Sequence, residues 1–449
     1  MIVRNASCAC VLAVGALVLH AQTAPPTPTG PAAARPAATV IAGIPVNYDE
    51  SKVGTYMLPE ALKLADGKPV RNAKDWSKRR PEIVKIFETQ QYGIAPGRPA
   101  DESFEVTDKG TPALDGKAIR KQVTIHLSKD PSWPAIHLVE YLPANAKKPV
   151  PIYFDINFGA VQAAVDDPGI APQKVRDAKT NELVDPPPPG GRGFGRINVG
   201  TFLDAGIGVA TFNYAELDPD TPTGFSHGIR AKYMKPGQMG EDDRAADAWG
   251  SIAAWAWGMS RVEDYFETDK DIDAKRVAIH GVSRLGKTVM WAGANDQRFA
   301  AVIASCSGEG GAALSRRDYG ETIAHLMAPS RYPYQFAANY AKYGGFPDTA
   351  PMDANLLVAL IAPRPLLLQT GSTDNWSDPK GEFLAAVAAG PVYKLLGKQD
   401  LGTEVWPAAK VPLFSNGLNY YMHDGPHGMV PTDYDIYVQF LKAQFHPEQ

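Results

Sequence analysis

Cysteine is scarce in this sequence: its 449 residues contain three, at positions 8, 10 and 306. Cys8 and Cys10 lie in an N-terminal stretch patterned like an export signal. The mature chain would keep Cys306 alone, which excludes an intrachain disulfide. A chain of this length can instead stand on its own buried core. Long apolar runs are missing as well. The run over 8–19 is about a dozen residues, too short for a membrane-spanning helix of ~20 residues, and no later segment matches it without a charge. Positive charge is not in excess. The formal net charge is −4, which argues against a broad electrostatic grip on nucleic acid. Metal-site patterns are absent too. There is no His-Glu-x-x-His and no cysteine pair, and Gly425 and Pro426 break any helix that would present His423 and His427 to one ion. The glycines over 190–195 follow neither a Walker nor a G-x-G-x-x-G spacing, so no phosphate site and no cofactor is implied.

What remains is the composition of an ordinary soluble protein, 44% hydrophobic and 21% charged. Residues 1–21 read as a signal peptide: Arg4 gives the basic start, the apolar run follows, and Ala21 is the small residue at the cleavage point. The expectation is an exported chain, periplasmic or extracellular, with no membrane contact after processing. Residues 22–40 are rich in Pro, Ala and Thr and read as a tether. One folded domain is expected over 41–449, with a monomer as the default state.

Within that domain, short apolar or alternating runs predict strands over 103–107, 119–127, 137–141, 151–155, 209–214, 276–280, 300–305, 365–370 and 418–422. Helices are expected over 81–89, with Pro81 in the first turn, and over 244–265, 286–295, 356–360, 379–389 and 431–445. The stripe of Trp249, Ile252, Trp255 and Trp257 reads as core. The stretch 160–200 reads as an insertion near the functional face, with a surface loop at 185–195. Alternating strands and helices predict an α/β fold, a mostly parallel sheet covered on both faces.

The stretch Val277-Ala-Ile-His-Gly-Val-Ser-Arg-Leu-Gly-Lys287 carries the chemistry. An apolar strand runs into Gly-x-Ser and then a helix, the setting of a nucleophile elbow. Gly286 stands one residue later than in the common G-x-S-x-G. In the α/β-hydrolase order, an acid and then a base follow the serine, each after a later strand. Asp374 or Asp378 follows the strand at 365–370, and His427 or His423 follows the strand at 418–422. A serine hydroxyl needs such a base to become a nucleophile at neutral pH. The Arg284 amide stands where an oxyanion donor is needed, and its side chain adds a charged one. His126, His137, His227, His280, His325 and His446 read as structural or surface residues.

Gly-Val-Ser-Arg-Leu-Gly-Lys resembles the G-x-S-R-x-G-K signature of glucuronoyl esterases, carbohydrate esterases that cleave the ester between glucuronate side chains of xylan and lignin alcohols. Arg79-Arg-Pro-Glu-Ile-Val, residues 250–265, Ala362-Pro-Arg-Pro-Leu, Asp374-Asn-Trp-Ser-Asp-Pro and the His427 loop extend the resemblance over most of the mature chain. It implies an α/β-hydrolase fold with loop insertions, and a partner in the form of a glucuronate ester on xylan or on a lignin–carbohydrate complex. Ser283 matches the nucleophile, His427 the base and Arg284 the oxyanion contact. Lys287, Glu321 and Trp376 match sugar contacts. Fungal members carry the triad acid as a Glu where this chain has Cys306. Asp374 matches the acid of many bacterial members, Asp378 reads as a helix cap, and Glu309 is the rival acid. An acetyl-xylan or general carboxylesterase of the same fold is the alternative reading, followed by a non-catalytic carbohydrate-binding relative.

Overall fold

The computed structural model describes residues 39–177, 179–180, 182–186, 196–234 and 244–445. The expected signal peptide, most of the tether, the glycine run at 190–195 and His446 lie outside the described residues.

Nine strands form the central sheet. They are β1 Ser103–Ala113, β2 Ala118–His126, β3 Ala135–Pro143, β4 Val150–Asn157, β5 Gly208–Asn213, β6 Ile272–Val282, β7 Ala301–Ser305, β8 Leu366–Gly371 and β9 Leu418–His423. Their spatial order is β9-β8-β7-β6-β4-β5-β3-β2-β1. β4 to β9 are mutually parallel, and β3, β2 and β1 continue the sheet antiparallel from β5. The sheet is thus the mostly parallel α/β-hydrolase sheet that the alternation predicts, with an antiparallel edge.

Continuous apolar runs become the parallel strands because both of their faces are covered. Every residue of β4, β5, β7, β8 and β9 is buried. Successive side chains point to opposite faces, and the two faces build two cores. Ile152, Phe154, Ile279, Leu366 and Leu368 join helices α1 Ala73–Phe87, α2 Ser251–Phe266, α3 Arg284–Asn295, α4 Ala354–Ile361 and α5 Pro379–Leu395. Tyr153, Ala278, Ile303 and Leu367 join α6 Asp433–Phe445 and Phe202. Among the described residues, no helix is long and apolar enough to cross a membrane.

Three local expectations are corrected. The first helix starts at Ala73, where the Asn72 side chain accepts the Asp75 amide at 3.0 Å, and Pro81 falls in its interior. Burial of Trp76, Ile83 and Phe87 on one side outweighs the hydrogen bond that proline forfeits. α2 begins at Ser251, seven residues later than 244, because the preceding backbone bonds to neighbouring segments instead. Asn339 donates to the Ala246 carbonyl, Ile94 to that of Asp247, and Gly250 to that of Tyr92. α5 runs on to Leu395 through Pro391. The tryptophan stripe is core: Trp249, Trp255 and Trp257 are all buried.

Candidate active site

Ser283 stands between β6 and α3 with φ 60° and ψ −124°, a conformation that L-residues seldom adopt and that persists only when surrounding contacts hold it. Its amide donates to the Ser305 carbonyl at 2.8 Å, and its own carbonyl accepts the Lys287 amide at 3.0 Å. Gly286 sits where α3 crosses the end of β7. A Cβ there would stand 2.8 Å from the Ser305 carbonyl oxygen. The glycine is therefore needed at the sixth position of the motif.

Ser283 opens into a pocket of about 140 Å³ that also takes in Arg284, Lys287, Cys306, Glu321, Trp376 and His427. Six of the expected site residues thus share one cavity, and the seventh, Asp374, stands behind His427. Asp374 Oδ2 lies 2.7 Å from His427 Nδ1, and Ser377 Oγ lies 3.1 Å from the same nitrogen. Asp374 is buried, while His427 is half-buried.

The competing candidates are engaged elsewhere. Asp378 caps α5 by accepting the Gly381 amide at 3.0 Å and pairs with Arg317 at 2.8 Å. Glu309 is buried and accepts from Ser315 Oγ at 2.7 Å and from the Tyr340 hydroxyl at 2.8 Å. Burial pushes its pKa up to about 8. His423 is buried, with Nδ1 2.9 Å from Asp433 Oδ2 and Nε2 2.9 Å from the Pro426 carbonyl. It braces the loop that carries His427. The donor atoms of Cys306, Asp374 and His427 lie within 4.8 Å of one another. Protein hydrogen bonds engage all three residues, Cys306 Sγ accepting the Gly428 amide at 3.4 Å. Burial pushes the Cys306 thiol pKa well up, so the thiol stays neutral.

Arg284 is held by residues that no sequence motif flagged. Its guanidinium pairs with Asp220, which also accepts from the Tyr214 hydroxyl at 2.9 Å, the Tyr334 hydroxyl at 3.0 Å and Gln335 Nε2 at 2.7 Å. Burial opposes the charge on Arg284, but the Asp220 carboxylate outweighs it and raises the pKa. The Tyr332 ring lies 4.7 Å from both Arg284 and Arg331. Arg331 in turn reaches Glu321 Oε1 at 3.0 Å and stands 5.5 Å from the Trp376 ring. Lys287 is buried and 3.8 Å from Glu321 Oε2. Desolvation lowers its pKa, with Glu321 opposing. Asp220 and the Arg331–Tyr332 pair come from segments that carry no motif of their own, so only the fold joins them to the site.

Behind the elbow lies a second Asp–His–Ser series, fully buried. His280 Nδ1 is 2.5 Å from Asp155 Oδ1, and its Nε2 is 3.1 Å from Ser305 Oγ. Ser305 Oγ continues to the Tyr437 hydroxyl at 2.7 Å, which donates to Gln369 Oε1 at 3.1 Å. This chain crosses under the site from β4 to β8.

Fold and site together define a carboxylic ester hydrolase of the α/β-hydrolase class. A glucuronoyl esterase from Solibacter usitatus matches with a TM-score of 0.82 and 43% identity, over 88% of this chain and 100% of that one. The chain belongs to the glucuronoyl esterase family. The family model for glucuronyl esterases of fungi matches residues 196–397. A carbohydrate esterase of an unknown prokaryotic organism is 41% identical over 406 residues, 88% of this chain and 91% of the relative. The 4-O-methyl-glucuronoyl methylesterase of Cerrena unicolor is 26% identical over 416 residues, 88% of this chain and 75% of the relative.

Proposed function

We propose that the enzyme hydrolyses esters of D-glucuronic or 4-O-methyl-D-glucuronic acid, such as those joining lignin alcohols to glucuronoxylan, through an acyl-enzyme on Ser283. The observation that carries this reading is one pocket holding Ser283 and His427 beside Arg284, Lys287, Glu321 and Trp376. His427 removes the Ser283 proton as Oγ attacks the ester carbonyl, then returns it to the leaving alcohol, a transfer worth roughly 10²–10⁴-fold. Asp374 fixes the imidazole tautomer and stabilises the imidazolium. The Arg284 amide at the start of α3 and the Arg284 guanidinium stabilise the developing oxyanion, each such donor contributing about 3 kcal/mol. Water activated by His427 then releases the uronate.

Lys287, Glu321 and Trp376 hold the sugar. Lys287 donates to ring hydroxyls, Glu321 accepts from them, and the Trp376 ring lies against the sugar's apolar side. Arg331 and Lys287 each pair with Glu321, which fixes its carboxylate for that task. The working state is an exported monomer, periplasmic or extracellular, as the N-terminal pattern of Arg4, the apolar run and Ala21 supports.

The test is hydrolysis of methyl and benzyl D-glucuronate beside the matching galacturonate and p-nitrophenyl acetate, with wild type and Ser283→Ala. The glucuronate esters should be preferred and the variant should be inactive. A preference for acetate would remove Lys287, Glu321 and Trp376 from their assigned roles.

A further inference from the structure

A second and larger cleft, of about 570 Å³, is lined by Trp133, His137, Lys174, Asn213, Glu216 and His227, among others. Strand register places it at the same end of the sheet as Ser283. β4 pairs Asp155 with His280 of β6 and Asn157 with Asn213 of β5. Two residues beyond Asp155 and His280, Val282 stands level with Asn157 and so with Asn213. Asn213 is therefore two strands from the elbow, about 10 Å at the usual strand spacing. β3 pairs Val139 with Thr211, which brings His137 beside Asn213 one strand further out. One short segment serves both sites: Asn213 and Glu216 line the cleft, while Tyr214 and Asp220 anchor Arg284.

The cleft's chemistry suits a neutral sugar. Glu216 uses Oε2 for the His137 amide at 3.0 Å and for His137 Nδ1 at 3.2 Å. Its Oε1 has no partner among the described residues. Asn213 uses Oδ1 to accept the Ala215 amide at 3.0 Å, and its Nδ2 likewise makes no bond among the described residues. The half-buried Trp133 ring is braced edge-on by Tyr233 at 5.4 Å. A fixed aromatic ring, an unspent carboxylate oxygen and an unspent amide donor match the C–H faces and hydroxyls of a pyranose. An aromatic alcohol would leave the carboxylate oxygen and the amide donor unpaired, which costs affinity.

We propose that this cleft is a subsite for the neutral xylan backbone that carries the esterified uronate. Asn213, which lines the cleft, is two strands from the elbow, about 10 Å at the usual spacing, within reach of a short oligosaccharide. The proposal rests on the glucuronate-ester reading of the active site.

The experiment compares wild type, Trp133→Ala and Glu216→Gln on two substrates: methyl D-glucuronate, and the methyl ester of a glucuronic acid borne on xylotetraose. On the simple ester both variants should keep kcat/KM within twofold. On the oligosaccharide ester each should lose about tenfold, in KM with kcat retained. Equal losses on both substrates, or no loss on the larger one, would overturn the proposal. So would a selective loss on benzyl over methyl glucuronate, because the cleft would then receive the alcohol. Trp133→Phe serves if the alanine variant fails to fold. Independently, unesterified xylohexaose should bind Ser283→Ala and bind the Ser283→Ala/Glu216→Gln double variant about tenfold more weakly. If wild type cleaves neither glucuronate ester, the functional reading fails, and the xylohexaose titration still decides whether the cleft binds xylan.

Discussion

Asp374 presents Oδ2 to Nδ1 of His427 at 2.7 Å. Glu309, the rival acid, is tied to Ser315 and Tyr340 instead. Asp374→Asn should therefore lower kcat on methyl glucuronate by about 10³–10⁴-fold while leaving the fold intact, because asparagine keeps the shape and loses the imidazolium partner. Glu309→Gln should stay within a few-fold of wild type. Steady-state kinetics with circular dichroism on both variants checks this, and the reverse ranking would move the acid to Glu309.

Asp220 is the fixed point of the Arg284 surround, since it accepts from Arg284, Tyr214, Tyr334 and Gln335 together. Arg284→Ala should cost about 10²–10³-fold in kcat, the range for losing one oxyanion donor. Asp220→Asn should cost less, about tenfold, because the guanidinium stays in place on Tyr332 but loses its anchor. KM should move little in either variant. An unchanged kcat in Arg284→Ala would leave the oxyanion to the Arg284 amide alone.

Buried carboxyls set the pH dependence of stability. Burial pushes Glu263, Glu309 and Glu382 each up to about 8. Glu382 accepts the Gly308 amide through Oε1 at 2.6 Å, while its Oε2 has no partner among the described residues, as suits a neutral acid. The folded protein then holds protons that the unfolded chain releases above its ordinary carboxyl pKa. The resulting stability is fully present below about pH 4.5 and is lost as pH rises through about 8, at roughly 1 kcal/mol per pH unit for each group. At the acid end, hydrogen bonding to Arg317 holds Glu50 down to about 2, so its contribution is lost as pH falls through that value. Urea unfolding between pH 5 and 8 should show stability falling with pH, and Glu382→Gln should flatten the slope by about one proton. A slope unchanged by that substitution would assign the effect to the other buried carboxyls, Glu140 and Asp378 among them.

The sheet was legible because its central strands are continuous apolar runs, and such runs in a chain of alternating helices have few other ways to be covered. The elbow's geometry was legible because strand, Gly-x-Ser and helix are contiguous, and the Asp374–His427 contact because each residue follows a later strand. Helix boundaries were less so. Pro81 and residues 244–250 take their conformations from packing against distant segments, which local propensity does not encode. The surround of Arg284 was invisible for the same reason. Asp220, Arg331 and Tyr332 sit in loops with no spacing rule, and their roles exist only once the fold brings them together.

Ser305 shows how a serine can have a catalytic set of neighbours without catalysing anything. His280 and Asp155 stand behind it in the order of a triad. Yet Ser305 is 0% exposed, and its hydroxyl also meets Tyr437 at 2.7 Å. No ester can reach it. Its contribution to Ser283 is its main-chain carbonyl, which any residue supplies. Ser305→Ala should keep kcat within a few-fold while costing about 1–3 kcal/mol of stability, because the His280 and Tyr437 groups lose a buried partner. A fluorophosphonate probe should label wild type and Ser305→Ala equally and leave Ser283→Ala unlabelled. Labelling of Ser283→Ala would mean that the buried series opens to solvent and that the two serines had been assigned the wrong way round.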